Sequence, residues 1–182
     1  YILYYSCTFL HFHIKMKLHS IDQLKNGAFF LINKKVNWTS FDVVKKMRSC
    51  ISQKYSEKIK VGHAGTLDPL AEGLLIVCTG KKTKEISEFQ NLKKKYKGEI
   101  TIGATTPSFD LEILINKRFD FSHVNENDIL TTTEKFLGKT WQTPPIYSAL
   151  KQNGERLYSL ARKNKSAKIA KREICIYEFN IE

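Results

Sequence analysis

Residues 73–79 read GLLIVCT, an unbroken run with no charge and no proline. It is the length of a strand, and it is apolar at successive rather than alternate positions. That pattern predicts a strand buried on both faces. Directly before it, residues 62–72 read GHAGTLDPLAE, a glycine-punctuated segment carrying His63 and Asp68. A carboxylate set beside a buried apolar strand costs free energy unless it has partners or a chemical task. Any fold for this chain must bury 73–79 and still account for Asp68.

The remaining pattern supplies elements to surround that strand. Ala28–Ile32 (AFFLI) predicts a second short buried strand. Thr39 followed by Asp42 is a capping-box start, and Val43, Val44, Met47 and Ile51 recur at helical spacing, which predicts a helix over 40–51. Residues 82–92 read as an amphipathic helix, and Lys95–Thr101 alternates in the manner of a strand with one wet face. A helix over 125–137 is expected to end at Gly138. A basic helix over 154–163 and a strand over 173–181 complete the series. Strands and helices are interspersed without a βαβ repeat. This predicts one α+β domain with a large mixed, mainly antiparallel sheet flanked by helices.

Charge points to the partner. The 182 residues hold 30 Lys and Arg against 18 Asp and Glu, a net charge of +12. Such an excess suits a polyanion, nucleic acid above all, although a basic surface also serves solubility alone. The charge is concentrated in 93–97 (KKKYK) and in 151–172, where eight basic residues face Glu155 alone. Tyr96 and Tyr158 are interleaved and offer stacking surfaces beside the phosphate-binding cations. Cys7, Cys50, Cys78 and Cys175 are scattered, with no zinc-like spacing, so free thiols in a reducing, cytoplasmic setting are expected. The opening YILYYSCTFLHFHIKMK has its positive charge after the apolar run, the reverse of a signal peptide, and the run is too short to span a bilayer. Residues 1–15 are therefore expected to be a leader ahead of a start at Met16, with 16–182 the functional domain.

Several chemistries fit the loop taken by itself. Its glycines allow tight turns and close backbone approach, but the lysine and hydroxyl of a nucleotide-binding P-loop are missing. Asp68-Pro69 serves equally to start a turn, and His63 to hold a loop by a hydrogen bond. No second ligand stands at metal spacing, so no metal is expected. The sharper reading makes Asp68 a nucleophile in a shaped, desolvated pocket. It would need a cation nearby and a flat face for its substrate, and Tyr96 is the candidate face.

The segment GHAGTLDPLAEGLLIVCTGKKTK resembles the hallmark segment of the bacterial tRNA pseudouridine synthase B family. GAFFLINKKVNWTSFDVV, KKKYKGEITIGATTPSFD and PPIYSALKQNGERLYSLAR are similar to three further segments of that family, so the resemblance covers about residues 27–182. It implies a pseudouridine-synthase-like catalytic core. It implies that Asp68 is catalytic, that Tyr96 packs on the target base, and that His63 contacts the RNA beside the extruded nucleotide. Asp110 falls in the active-site region. Lys34 matches the lysine of a Lys-Pro pair, with Lys35 in place of the proline. Lys151, Arg156 and Arg162 match basic positions that meet the RNA backbone. Thr106-Pro107-Ser108 departs from the usual run at that place.

The implied reaction converts a T-loop uridine of tRNA to pseudouridine, by detaching the base, turning it and rejoining it through carbon. It needs neither cofactor nor metal, and the resemblance implies a monomer. In the family a later segment supplies an arginine that pairs with the aspartate. None of Arg48, Arg118, Arg156, Arg162 and Arg172 lies in such a motif, so 16–182 is expected to be a C-terminally incomplete catalytic domain of low activity. Two rivals remain: a non-catalytic tRNA-binding or RNA-chaperone module, and a fragment without function. Asp68 and Tyr96 favour the enzyme, since a pure binder gains nothing from a carboxylate facing RNA.

Overall fold

The computed structural model describes residues 4–5, 20–148, 151–152, 155–157 and 169–182. The chain divides into two compact units, Tyr1–Lys97 and Gly98–Glu182, where a single domain was expected.

The first unit is built on the predicted apolar run. Gly73–Thr79 is strand β4, in the order β1 (Tyr4–Tyr5), β2 (Phe29–Lys34), β4, β3 (Val61–His63). β2 and β3 pair antiparallel with β4 on its two sides, and β1 pairs parallel with β2. Leu75, Val77 and Cys78 of β4 are buried. Helix α1 (Ile21–Asn26) contributes Leu24 to the core. Helix α2 (Ser40–Tyr55) contributes Val43, Val44, Met47 and Ile51, which meet Phe30, Val61, Leu75 and Val77. These are the residues whose spacing predicted the helix. Its capping box is formed: Asp42 N–H donates to Thr39 Oγ1 at 3.1 Å, and Thr39 N–H donates to Asp42 Oδ2 at 3.0 Å. The helix runs one turn beyond the predicted end and stops at Ser56, whose left-handed backbone (φ 55) breaks it.

Three expectations in this unit and the next are corrected. The helix expected over 82–92 is a 3-10 helix, Gly80–Glu85, followed by the short α3 (Ile86–Gln90). A 3-10 turn brings residues i and i+3 into register. Here that aligns Lys82 with Glu85 at 2.9 Å and lets Thr83 Oγ1 donate to the Gly80 carbonyl at 2.8 Å. The alternating segment 95–101 pairs with no strand. Tyr96 and Ile100 are both largely exposed, so no buried face rewards a ladder there. Consequently no large single sheet forms among the described residues.

In the second unit the sheets are two-stranded. β5 (Ala104–Thr105) pairs with β6 (Lys117–Arg118), and β7 (Gly138–Gln142) pairs with the last strand, β10 (Arg172–Ile176). Helix α4 (Glu126–Glu134) has a capping box between Asn125 and Asp128 and ends before the predicted Gly138, which opens β7 instead. β8 (Lys151–Gln152) pairs with β9 (Glu155–Arg156). Of the expected basic helix 154–163, residues 155–156 are strand and Leu157 is helical, while 154 and 158–163, Arg162 among them, lie outside the described residues.

Candidate active site

Residues 64–72 link the end of β3 to the start of β4 and pass over the end of β2. Alternation along β2 puts Phe30, Ile32 and Lys34 on one face, and Lys34 sits opposite Gly73 in the register with β4. Lys34 is completely buried. Its ammonium donates to the carbonyls of Lys35 (3.0 Å), Trp38 (2.6 Å) and Ala71 (2.5 Å). Lys34, matched above to the lysine of a Lys-Pro pair, ties the loop to the β2–α2 turn. Burial pushes its pKa below the ordinary lysine value, and the negative charges of Asp68 and Glu72 oppose that shift.

Further ties hold the loop on both sides of Asp68. Ser40 Oγ receives the Leu67 N–H at 2.9 Å and donates to the Leu67 carbonyl at 3.1 Å. The Asn37 N–H donates to the Pro69 carbonyl at 2.8 Å, and the Ala71 N–H donates to the Asp68 carbonyl at 3.1 Å. At the loop's start the Ala64 N–H donates to the Ile76 carbonyl at 2.8 Å. Gly65 takes φ 131, a conformation that only glycine adopts readily, and its carbonyl meets His63 Nδ1. A carbonyl can only accept, which assigns a proton to Nδ1 in this contact. Asp68 itself is exposed, so its backbone is clamped while its carboxylate faces solvent. The desolvated pocket expected around it is not present in this state.

Asp68 and Lys34 are thus brought within electrostatic reach by one loop and one strand end, while His63 ends β3 opposite Val77. Sequence reasoning missed Ser40 and Asn37. The signal for Ser40 was a small hydroxyl directly after the Thr39 cap on the core side of the helix. Tyr96 belongs to the same unit, is 73% exposed, and makes no hydrogen bond or ring contact among the described residues. Asp110 belongs to the second unit, in a turn where its Oδ1 accepts from Ser108 Oγ (2.6 Å) and the Glu112 N–H (3.0 Å). Lys151 and Arg156 lie on the paired strands β8 and β9. Among the described residues no group of three or more His, Cys, Asp and Glu side chains could hold a metal, and no helix is long and apolar enough to cross a membrane. Cys50, Cys78 and Cys175 are free, and burial raises the Cys78 pKa.

A clamped loop presenting one carboxylate can serve nucleophilic or acid–base chemistry on a bound substrate. Known proteins narrow that choice. Residues 52–182 match the TruB family pseudouridylate synthase (N terminal domain). The chain is 48% identical to tRNA pseudouridine synthase B of Flavobacterium johnsoniae over 162 residues, covering 88% of this chain and 71% of that one. It is 44% identical to the protein of the same name in Phocaeicola vulgatus, covering 86% and 67%. It is 46% identical to that of Chloroherpeton thalassium, covering 86% and 65%. With a match over most of its length and identities of this size, the chain belongs to the TruB family of pseudouridylate synthases.

Proposed function

We propose that this chain isomerises a uridine in the T loop of tRNA to pseudouridine, with Asp68 as the nucleophile. The observation that carries the reading is the clamped loop 64–72, which presents an exposed carboxylate within the residues matched to the family. The names of the relatives supply the substrate class.

In the reaction the bond between N1 of the base and C1′ of the ribose breaks. The base turns, and C5 forms the new bond to C1′. C5 loses its proton to water and N1 gains one, so atoms balance and no electrons are exchanged. The uridine leaves its stack, which costs a few kcal/mol. Stacking on Tyr96 returns ~1–3 kcal/mol. His63 meets the RNA beside the extruded nucleotide. Lys151, Arg156 and Arg162 bind backbone phosphates, which positions the RNA without reading its sequence. Asp110 acts in the active-site region. The enzyme works as a monomer in the cytoplasm.

The test is release of tritium from C5-labelled uridine in a T-arm hairpin RNA. It is run with this chain and with a version extended by the remaining residues of the Flavobacterium johnsoniae relative. Asp68→Ala should cut release about a thousandfold or more, as loss of a nucleophile does. The side chain is exposed, so the variant should keep its fold by circular dichroism. Release that survives Asp68→Ala refutes the assignment. Hairpin binding without release in either version points to the non-catalytic binding module instead.

A further inference from the structure

Beside the Asp68 loop lies an open groove of about 460 Å³, lined by Asn37, Trp38, Asp42, Lys45, Lys46 and Ser49. Its volume is within the ~300–1,000 Å³ of small-ligand sites. The groove adjoins the candidate active site through backbone. Asn37, in a left-handed conformation (φ 66), turns its N–H onto the carbonyl of Pro69, the residue after Asp68.

The lining has the chemistry of a nucleotide site. Trp38 is half-buried and packs against the hydrophobic core, so the indole forms a fixed wall. Lys46 is half-buried and has no ion-pair partner among the described residues. Lys45 meets one carboxylate, Asp42, at 3.8 Å, the outer limit of a pair, and lies 5.1 Å from the centre of the Phe41 ring, which carries no net charge. The Asp42 carboxylate is already engaged, accepting from the Thr39 N–H (3.0 Å) and Thr39 Oγ1 (2.5 Å). Two cations are therefore left facing an aromatic wall with little internal neutralisation. Neither a metal ion nor an apolar peptide suits that combination. A base stacked on an indole with its phosphate between two ammonium groups does.

We propose that this groove seats a nucleotide of the substrate RNA that neighbours the target uridine, its base against Trp38 and its phosphate at Lys45 and Lys46. The inference rests on the RNA-modifying role proposed above. It assigns Trp38, Lys45 and Lys46 to substrate positioning, outside the reacting atoms.

The chain has two tryptophans, and Trp141 is largely exposed on β7, so Trp141→Phe leaves Trp38 as the sole fluorescent indole. This variant is titrated with the T-arm hairpin and with hairpins carrying one abasic nucleotide at successive positions around the target. The intact hairpin should quench Trp38 emission. One abasic position next to the target should abolish the quench and weaken binding about tenfold. Lys45→Gln with Lys46→Gln should raise the hairpin Kd several-fold and reduce the salt slope of log K by about 1, for the one phosphate the two share. An unchanged salt slope, or a quench indifferent to every abasic position, overturns the proposal. Tritium release separates the two readings. Release by the parent with unaltered groove variants removes the groove alone. Groove-dependent binding without release in the extended chain removes the catalytic reading and leaves the groove.

Discussion

Lys34→Met isolates what the buried ammonium does. Methionine has nearly the same length and keeps the apolar stem packed between β2 and the loop. Only the charge and its three hydrogen bonds disappear. The Lys35 carbonyl keeps a second donor, the Trp38 N–H at 3.3 Å, so it is not orphaned. The Trp38 and Ala71 carbonyls lose the ammonium. A hydrogen bond to a charged group contributes ~1.5–3 kcal/mol, which gives ~3–6 kcal/mol for the two. Relief of the ammonium's desolvation, the cause of its depressed pKa, returns part of this. A net loss of about 3 kcal/mol is expected, roughly a hundredfold in the folding equilibrium. Urea unfolding at pH 7 reads it directly. Hydrogen exchange reads its location: the Asn37 and Ala71 N–H groups, which close the loop onto Pro69 and Asp68, should lose protection ahead of the β4 amides. A loss below about 0.5 kcal/mol, or uniform loss of protection, would refute the view that Lys34 fastens this loop.

Asp42 predicts a pH dependence. Hydrogen bonds from the Thr39 hydroxyl and N–H, with a smaller contribution from Lys45, hold its pKa below the ordinary 3.8. Its contribution to stability is therefore complete above 3.8 and is lost as pH falls through the lower folded value. Asp42→Asn should flatten the acid limb of the stability curve in that window, and parallel curves for the two proteins would exclude the linkage. Gly80→Ala should cost well over ~2 kcal/mol, since φ is 51 and a Cβ would lie 2.1 Å from the Lys25 carbonyl and 2.4 Å from that of Leu24. Gly65→Ala meets nothing within 4 Å and should cost only the ~1–3 kcal/mol of its backbone strain at φ 131, a contrast that thermal melts can measure.

The first unit was legible because its signals agree. Val43, Val44, Met47 and Ile51 specify a helix face, Thr39 and Asp42 specify its start, and GLLIVCT specifies the strand it covers. The segment before it marked Asp68 as a loop residue, whereas His63, expected in the same loop, closes strand β3. Lys34 was not legible, because the strand was expected to end at Ile32. Its inward place at the end of β2 and the backbone carbonyls around it appear only in the fold. Segment 95–101 failed for the opposite reason. Its alternation is regular, but a strand needs a partner, and period alone names none. Among the described residues of the second unit few side chains are buried, and Phe109, Leu114 and Trp141 are mostly exposed. Where packing is slight, local propensity and turn chemistry set short elements whose bounds periodicity does not reveal.

The state of Asp68 bears on how the proposed chemistry would be sheltered. A nucleophile and a developing charge on ribose both gain from exclusion of water. The loop alone does not exclude it, because Asp68 is exposed and the clamps act only on its backbone. Apolar side chains follow it in the chain: Leu70 is 45% exposed and Leu74 is 63% exposed. Such side chains in water are a poor surface for solvent and a good one for the face of a base. On the proposed reading the cover is therefore the substrate itself. The extruded uridine and the nucleotide beside it would displace water from Leu70, Leu74 and Trp38, while the ties through Lys34, Ser40 and Asn37 hold the loop backbone that carries the carboxylate. The protein contributes the rigid half of the site before binding, and the RNA contributes the dry half on arrival.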